Sequence, residues 1–389
     1  MPLAWLSVAV VVAAIVAGEY QFHLKPILTV TGVIGRTMEA IGNTNCTTVP
    51  ELQGCEKLVL HSPSGLVYLA CSTPIERSTW VPALEILSGE RTLYDDYIAT
   101  YDPATSVVRR LILAGFPSGR GFSSHGMDVV PSASNPNELF IYAINHRAPL
   151  HGKAEDVGAD SVVEVFKTTV GGKTATHLRT IEDPVIQTPN DVVGSSDGKS
   201  FYFTNDYGKK VGYTRTLEAL ALMAQSTVGF CHVDRGCKIA ISGMRGNNGI
   251  AKAQNETYYV GSCMSGEVRV LERQADDLLV TTDLIRLDRV LDNLSVDDDG
   301  VLWAAGFPKV LPLISATHDP TNKICPSSAL RITRNGGHGA FFGEKFDVKK
   351  VFEDDGRVAS GATTVAHDAR RGVLYLTGVV SPYLTICKT

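Results

Sequence analysis

The expected fold rests on the stretch from Val290 to Trp303, which reads VLDNLSVDDDGVLW. Two polar side chains, Asp292 and Asn293, open a short apolar strand in this stretch. An Asp-Gly pair ending at Gly300 then favours a hairpin turn into a second strand. The stretch therefore forms one unit, made of a polar opening, a short strand, a turn and an aromatic-containing strand.

The second half of this unit, a turn followed by an aromatic-rich strand, occurs six times along the chain. The copies are spaced 44 to 72 residues apart and begin at Gly65, Asn137, Gly198, Glu256, Gly300 and Gly372. A propeller blade uses about 40 to 50 residues, and propellers usually contain about four to eight blades. We therefore expect an all-β fold, a six-bladed β-propeller whose wider gaps hold insertions. An irregular β-sandwich with chance internal similarity is the alternative.

Length and composition agree with a single propeller. A chain of 389 residues is long enough that it would normally divide into several domains. However, no Pro- or Ser-rich linker, low-complexity tract or charge block marks a boundary. We therefore expect one catalytic domain spanning residues 40–389. Charged residues make up 20% of the chain and the net charge is -5, which leaves no basic surface for nucleic acid.

Residues 1–18 form an apolar N-terminal segment, and no Lys or Arg precedes Lys25. This segment predicts a signal sequence or an uncleaved N-terminal anchor. A helix of this length spans roughly 27 Å, slightly less than a hydrocarbon core of roughly 30 Å, so length does not choose between the two. Both interpretations lead into the secretory pathway, with the protein secreted or held at the membrane on the lumenal or extracellular side. A buried N-terminal strand is the third alternative.

Eight cysteines suit an oxidising compartment. Cys231 and Cys237 are close enough in sequence to close a local loop. Cys46 and Cys387 lie just before the first blade and in the last strand, where a disulfide would close the ring. The pairing of the remaining four stays open: Cys55, Cys71, Cys263 and Cys325. Zinc is disfavoured, because the chain contains no Cys-x-x-Cys pair.

Residues able to carry chemistry lie seven to twelve positions before the turns, where short apolar strands open. In blade order they are Glu56, His125, Asn190, Asn248, Asp292 with Asn293, and Gly361. The innermost strand of each propeller blade runs along the central channel, so these openings should meet at one mouth. Five oxygen-bearing side chains from four blades would then converge on one point.

The converging set is typical of a calcium site. Two carboxylates and three neutral amides balance a divalent cation, and calcium takes about six to eight oxygen ligands in flexible geometry. The five expected ligands are Glu56, Asn190, Asn248, Asp292 and Asn293. They leave about one to three positions for water or substrate, as a Lewis-acid site requires. A single Asn at a strand opening is most often a turn or cap residue, so the prediction depends on the repeated position.

Three Asn-x-Ser/Thr sequons occur, at Asn45, Asn255 and Asn293. Asn255 lies in a predicted hairpin turn, so we expect it to be the accessible glycosylation acceptor. A glycan on Asn293 would displace an expected metal ligand, so Asn293 should remain unmodified.

The chain resembles the serum paraoxonase and arylesterase family. The matching segments are Cys55–Leu58, Ser124–Gly126, Ile144–His146, Pro189–Asp191, Asn248–Ile250, Asp292–Asp297 and the terminal Cys387. The resemblance covers roughly residues 40 to 389 and implies a six-bladed propeller with a catalytic calcium, acting as a lactonase with broader esterase activity. It also implies that the five oxygen ligands hold this calcium and that His125 and His146 form a catalytic dyad. The ring-closing disulfide that it implies joins Cys46 to Cys387.

One position departs from the family pattern. The family usually holds a second, structural calcium through a carboxylate after the ligand Glu, another after the blade-three Asn, and a backbone carbonyl two residues past the dyad His. Asp191 and Met127 match two of these places, but Lys57 occupies the first. An ammonium group repels a metal ion, so we expect one calcium per chain and an ion pair between Lys57 and Asp191.

Two insertions are expected to place helices over the channel mouth. Thr214 to Thr227 has the apolar spacing of an amphipathic helix, with a Thr to open it. The insertion from Pro74 to Leu93, which contains Trp80, is a second lid segment. In the resembling family a helix at the first position lies over the mouth and near membrane lipid; a helix that only caps the rim is the alternative.

Together these features predict a calcium-dependent hydrolase that opens lactones to hydroxy acids and also hydrolyses aryl esters. Calcium would polarise the substrate carbonyl while neutral His125 takes a proton from water and His146 orients it or relays the proton. Either histidine could instead be a core residue, and Asp292 could itself act as base or nucleophile. The competing functions are a gluconolactonase-like enzyme, a strictosidine-synthase-like condensing enzyme, and a secreted or membrane-tethered binding propeller with a structural calcium.

Overall fold

The computed structural model describes residues 2–88, 96–337 and 343–389. Its strands form six sheets arranged as blades, so the expected six-bladed β-propeller is confirmed. The first strand of each blade lines a central channel, and the later strands lie progressively further out. The residues at the openings of the inner strands therefore face one end of this channel, which we call the mouth.

Blades 1 to 3 use the first part of the chain. The strands of this part are β1 (Cys46–Val49), β2 (Lys57–His61), β3 (Leu66–Cys71), β4 (Trp80–Val81), β5 (Ile86–Leu87), β6 (Tyr97–Asp102), β7 (Val107–Arg110), β8 (Ile112–Ala114), β9 (Ser124–Pro131), β10 (Glu138–Arg147), β11 (Asp160–Thr169), β12 (Thr174–Ile181), β13 (Pro189–Gly194), β14 (Ser200–Asn205), β15 (Ser226–His232) and β16 (Gly236–Met244). The blade orders are β2-β3-β6-β7, β9-β10-β11-β12 and β13-β14-β15-β16. Strand β8 extends blade 2 by pairing in parallel with β12, and β4 and β5 form a separate hairpin.

Blades 4 to 6 use the second part of the chain and close the ring. Their strands are β17 (Asn247–Lys252), β18 (Thr257–Ser262), β19 (Glu267–Arg273), β20 (Leu279–Arg286), β21 (Val290–Val296), β22 (Leu302–Phe307), β23 (Ser327–Arg334), β24 (Phe346–Asp354), β25 (Thr364–Asp368), β26 (Val373–Thr377) and β27 (Leu384–Lys388). Blade 6 has the order β25-β26-β27-β1, so a strand from the start of the chain completes the last blade. Cys46 lies opposite Cys387 in this pairing, and the expected disulfide joins them.

The six turn-and-strand copies are the second strands of the six blades. The turn residue Gly300, for example, has a φ of 74°, a left-handed conformation that glycine adopts at little cost. Each second strand then contributes a buried aromatic side chain: Tyr68, Tyr142, Tyr202, Tyr258, Trp303 and Tyr375. Rings of this kind bury roughly 150–250 Å² each. Some of these contacts cross between blades, as where the rings of Tyr202 and Tyr258 lie 4.9 Å apart.

Helices precede the propeller and are inserted between its second and third strands. The helices are α1 (Pro2–Glu19), a π-helical turn (Tyr20–Leu24), α2 (Lys25–Val30), α3 (Pro74–Arg77), α4 (Ala154–Val157), α5 (Tyr213–Leu220) and α6 (Val310–His318), with 3-10 turns at Pro82–Leu84 and Ser118–Arg120. Helices α3 to α6 lie on the mouth side, because each follows a second strand that ends there. Within residues 2–88, 96–337 and 343–389, no helix has both the length and the apolar character needed to cross a membrane.

The expected lid segments differ from the structure in extent. The helix expected over Thr214 to Thr227 ends at Leu220, and β15 begins at Ser226. Leu222 adopts a left-handed φ of 49°, which ends the helix before the strand starts. In the insertion from Pro74 to Leu93, residues 89–93 lie outside the described residues, and the remainder forms α3 and the β4–β5 hairpin.

Candidate metal centre and histidine pair

The five expected metal ligands lie at the openings of the inner strands. Glu56 directly precedes β2, Asn190 is the second residue of β13, Asn248 is the second of β17, and Asp292 and Asn293 lie in the first half of β21. All five residues are at most 8% exposed. The amide nitrogen of Asn293 donates to Oε1 of Glu56 over 2.9 Å. Blades 1 and 5 therefore touch through their site residues at the mouth.

In four blades, the inner strand contains a β-bulge at the position of the site residues. At the openings of β9, β13, β17 and β21, two inner-strand residues lie opposite one residue of the second strand. The bulged pairs are His125-Gly126, Asn190-Asp191, Asn248-Gly249 and Asp292-Asn293. A β-bulge releases residues from the regular ladder and redirects their side chains, and bulges are frequent beside active sites. The repeated positions in the sequence therefore correspond to four equivalent bulges.

Two of these bulges contain a glycine because neighbouring inner strands approach closely. A methyl group on Gly249 would lie 2.5 Å from the Cα of Asn293. A methyl group on Gly126 would lie 2.4 Å from the carbonyl oxygen of Asn190. Any larger residue would push the blades apart and separate the site residues. The pairs His125-Gly126 and Asn248-Gly249 were a signal in the sequence for these two bulges, but we did not predict the bulges from them.

Three buried oxygens in the site accept no hydrogen bond within the described part of the chain. They are Oδ1 of Asn190, Oδ1 of Asn248 and Oδ1 of Asp292. A buried polar atom without a partner costs about 1–3 kcal/mol, so native proteins rarely leave several together. These oxygens come from three successive blades, and together with the Glu56 carboxylate at the opening of blade 1 they form the kind of oxygen donor set that calcium prefers. The residues present therefore fit a calcium ion.

The charges in the site also favour a cation. Burial raises the pKa of Glu56 to about 7, against the opposing effects of Thr363 and Arg77. Burial raises the pKa of Asp292 well above its usual range, and the nearby Glu56 carboxylate raises it further. Two buried carboxylates resist simultaneous ionisation, whereas a divalent cation between them would stabilise both charges. No three His, Cys, Asp or Glu side chains among the described residues form a metal cluster, so this site would depend on amide oxygens.

Blade 6 contributes hydroxyl groups that orient Glu56. The hydroxyl of Thr363 donates to Oε2 of Glu56 over 2.5 Å, and that of Thr364 donates to the Glu56 carbonyl over 2.7 Å. The repeat had pointed to Gly361 in this blade, which has no side chain to contribute. The sequence contains no separate signal for these threonines, because their contact with blade 1 exists only when the ring is closed.

His125 and His146 lie on adjacent strands of blade 2, with ring centroids 5.1 Å apart. Nε2 of His125 is 3.9 Å from Oε1 of Glu56, which is too long for a hydrogen bond. Nδ1 of His146 lies 2.8 Å from the hydroxyl of Ser161, and its Nε2 has no partner in the described structure. The pair therefore lies beside the candidate metal centre, with ring nitrogens left available.

Both histidines are held in the neutral state. Burial lowers the pKa of His125 well below its usual value, and the neighbouring His146 lowers it further. Burial lowers the pKa of His146 to about 3, with Arg77 and Lys210 acting in the same direction. A neutral imidazole has an unprotonated nitrogen that can accept a proton.

The insertion of blade 1 covers the histidine pair. The indole nitrogen of Trp80 donates to the carbonyl of His146 over 3.0 Å. The guanidinium of Arg77 donates to the carbonyl of Ser124 over 2.7 Å, next to His125. On the far side, Arg215 of α5 donates to the carbonyl of Ala83 over 2.6 Å. The β4–β5 hairpin is thus anchored at both ends over the mouth.

The expected ion pair lies directly below the metal centre. Nζ of Lys57 is 2.5 Å from Oδ2 of Asp191 and 3.4 Å from Oδ1 of Asn293. Lys57 is 5% exposed and Asp191 is fully buried, and Met127 lines the same channel cavity of about 360 Å³. The family's second calcium does not fit here, because an ammonium group already binds the carboxylate. Asn293 differs from the other candidate ligands, since its oxygen faces Lys57 and its nitrogen faces Glu56.

Three disulfides are present in the structure. Two of them are the expected pairs, Cys46–Cys387 and Cys231–Cys237. The third joins Cys55 to Cys71 and fixes the residue that precedes Glu56. Cys263 and Cys325 are free thiols.

The sequons differ in their exposure. Asn255 is exposed in the turn between β17 and β18, so its side chain is accessible to a glycan. Asn293 is only 1% exposed. Glycosylation at Asn255 remains a prediction that the geometry permits.

Comparisons with known proteins agree with this arrangement. The profile of the arylesterase family matches residues 41–384. Serum paraoxonase/arylesterase 2 of Gallus gallus is 27% identical over 361 residues, which cover 91% of each chain. Serum paraoxonase/arylesterase 1 of Rattus norvegicus is 24% identical over 334 residues, covering 85% of this chain and 86% of the relative.

One solved structure extends the comparison to the fold. The gluconolactonase XC5397 of Xanthomonas campestris is 14% identical, has a TM-score of 0.51, and is matched over 90% of this chain and 91% of its own. At that identity the likeness concerns the propeller fold alone. The family match, in contrast, extends over all six blades from β2 to the start of β27. This chain belongs to the arylesterase family.

Proposed function

We propose that this protein is a calcium-dependent hydrolase that opens lactones to hydroxy acids and also cleaves aryl esters to a carboxylic acid and a phenol. Membership in the arylesterase family indicates a carboxylic ester hydrolase, and relatives carry the names arylesterase, paraoxonase and lactonase. The observation that carries the proposal is the set of three buried oxygens without hydrogen-bond partners, on Asn190, Asn248 and Asp292, at strand openings equivalent to that of Glu56. Glu56 itself lies 3.9 Å from His125, whose pKa is lowered by burial, so a candidate cation site and a proton acceptor occupy the same mouth.

The chemistry divides between the metal and the chain. When bound, calcium would act as a Lewis acid on the carbonyl oxygen of the substrate, a contribution worth several kcal/mol. Glu56, Asn190, Asn248 and Asp292 would hold it, and Asn293 would join them after its amide turned its oxygen toward the centre. Thr363 fixes the Glu56 carboxylate in place, so this ligand is oriented before any metal arrives.

The histidine pair would accept and transfer the proton of the attacking water. His125 is neutral, and its Nε2 would accept a proton from the attacking water. His146 is held at Nδ1 by Ser161 and would orient the first ring or pass the proton on. The β4–β5 hairpin above them limits the access of bulk water, which strengthens electrostatic interactions in the site.

A turnover assay with matched variants tests the proposal. Lactones of several ring sizes and phenyl acetate would be supplied to the wild type with calcium and after chelation. Chelation should abolish hydrolysis, and Asn248→Ala should lower kcat/KM by at least about 100-fold because it removes a ligand. Asn255→Ala, an exposed asparagine close to the same strand, is the control and should behave like the wild type.

Two results would contradict the proposal. Full turnover by Asn248→Ala after exhaustive chelation would remove calcium from the mechanism. Tight calcium binding without turnover of any lactone or ester would instead favour a binding propeller whose calcium is structural.

We also propose that the protein enters the secretory pathway. Three disulfides favour an oxidising compartment, and the apolar segment at residues 1–18 would direct the chain there. N-terminal sequencing of protein from a secreting host would distinguish a cleaved signal from a retained anchor.

A further inference from the structure

The channel below the candidate metal centre contains a buried carboxylate, that of Asp191, whose negative charge requires a nearby positive group. Asp191 is fully buried in β13, the inner strand of blade 3. Its Oδ2 accepts a hydrogen bond from the backbone of Ile250 in blade 4 over 3.0 Å. Its backbone N–H lies at the bulge and donates to the hydroxyl of Thr204 over 3.0 Å. This carboxylate therefore joins two blades from the inside and cannot turn toward water.

Lys57 reaches this carboxylate from blade 1, two blades away around the channel. It opens β2 of blade 1 and directly follows Glu56, so its side chain leaves the strand on the opposite face from the candidate ligand. Its ammonium group contacts Asp191 of blade 3 at 2.5 Å and Asn293 of blade 5 at 3.4 Å. One cation thus bridges three alternate blades across the centre of the ring.

We infer that the Lys57 ammonium is a built-in structural cation of the channel, which takes the place of a second metal ion and cannot be removed by a chelator. An ammonium group at hydrogen-bond distance from a carboxylate and an amide oxygen supplies the attractions that a bound ion would supply there. It also repels such an ion and occupies Oδ2 of Asp191, although Oδ1 of the same carboxylate has no hydrogen-bond partner in the described structure. The chain therefore needs a diffusible metal only at the upper site.

The decisive experiment combines metal counting with thermal melting. Wild type, Lys57→Met and Lys57→Asp would each be dialysed against calcium, analysed for bound metal, and melted with calcium and with EDTA. Lys57→Asp should bind one more calcium ion per chain than the wild type, because it creates a carboxylate pair with Asp191. Its melting temperature should then rise by several degrees with calcium, beyond the rise seen for the wild type.

Lys57→Met keeps the length of the side chain and removes the charge. Its melting temperature should fall by about 4 to 6 °C, since removing one member of a buried pair leaves the other uncompensated. The double variant Lys57→Met/Asp191→Asn should recover part of this loss. Lys252→Met is the matched control, because Lys252 lines the same cavity but pairs with the exposed Glu256, and it should change the melting temperature little.

Two outcomes would overturn the inference. The first is a wild type that binds as many calcium ions as Lys57→Asp. The second is a Lys57→Met variant that melts at the wild-type temperature. If Lys57→Asp fails to fold, the metal count of the wild type and the partial recovery in the double variant decide the question. A wild type that binds no calcium contradicts the proposed hydrolase mechanism but leaves the expected difference of one ion unchanged, so the two failures are distinguishable.

Discussion

The central channel contains buried carboxylates at two levels, the mouth and the level of Asp191 below it. Their negative charge is balanced differently at the two levels. At the mouth, Glu56 and Asp292 share the strand openings with buried oxygens that lack partners, and no lysine or arginine among the described residues forms an ion pair with either carboxylate. One level below, Asp191 is bound by the ammonium of Lys57. Under the proposed mechanism, the mouth needs an open coordination position for chemistry, whereas the lower level needs only a fixed charge.

The comparison also explains why the two levels can lie so close together. A diffusible ion has free coordination positions and can bind substrate, whereas a lysine presents three donors and no vacant position. In the proposed arrangement Lys57 takes the place of a lower ion and removes one metal requirement, while its ammonium binds the oxygen of the candidate ligand Asn293. Asn293 lies between the two levels, since it contacts both Glu56 and Lys57.

The largest effect should come from removing charge at the upper level. Asp292→Asn keeps the shape of the side chain but removes a carboxylate from the proposed centre. We expect kcat/KM for a lactone to fall about 1000-fold, equivalent to about 4 kcal/mol, together with weaker calcium binding. Asp299→Asn, in the exposed turn after the same strand, is the control. Unchanged turnover in Asp292→Asn would mean that the upper level is not the reaction centre.

A smaller effect should follow from His125→Gln, which removes the proton acceptor while leaving the oxygen ligands in place. Turnover should fall about 100-fold, because general base catalysis typically contributes about 10²–10⁴-fold. Calcium affinity measured by titration should remain nearly that of the wild type. His151→Gln changes an exposed histidine near the mouth and should have no effect. Loss of calcium binding in His125→Gln would instead assign His125 a structural role.

The smallest effect should be a change of calcium affinity in Lys57→Met. The ammonium repels a cation at the upper level and holds the oxygen of Asn293 away from it. Removing it should therefore tighten calcium binding several-fold, even though the variant is less stable. Calorimetric titration at low and high salt would measure this change. Weaker binding in Lys57→Met would show that the two levels act as one site.

Much of the fold was predictable because the repeat is simple. Each unit of about the same length must place its inner strand on the channel, so the positions of Glu56, Asn190 and Asp292 followed from the spacing of the turns. The Cys46–Cys387 disulfide was predictable because the first and last strands of a closed ring must meet. The ion pair between Lys57 and Asp191 was also predicted, because the family resemblance places these two positions at one site and their charges are opposite.

Other features depended on contacts between distant segments. The end of α5 at Leu220 was missed because the periodic pattern continued past the left-handed residue that stops the helix. The Cys55–Cys71 pairing was one of several that the sequence allowed. Thr363 and Thr364 reach Glu56 only after blade 6 has docked beside blade 1, more than 300 residues apart in sequence.

The sequence alone determined the number of blades, which polar residues open their inner strands, and the opposite signs of charge at Lys57 and Asp191. These properties depend on the spacing of the repeat and on residue identity, which are local. Tertiary structure alone decided where each side chain points. The four bulges, the close approach at Gly126 and Gly249, and the orientation of the Asn293 amide all arise from packing between blades. Packing sets these details because a bulge or an amide orientation is stabilised by the neighbouring strand that contacts it.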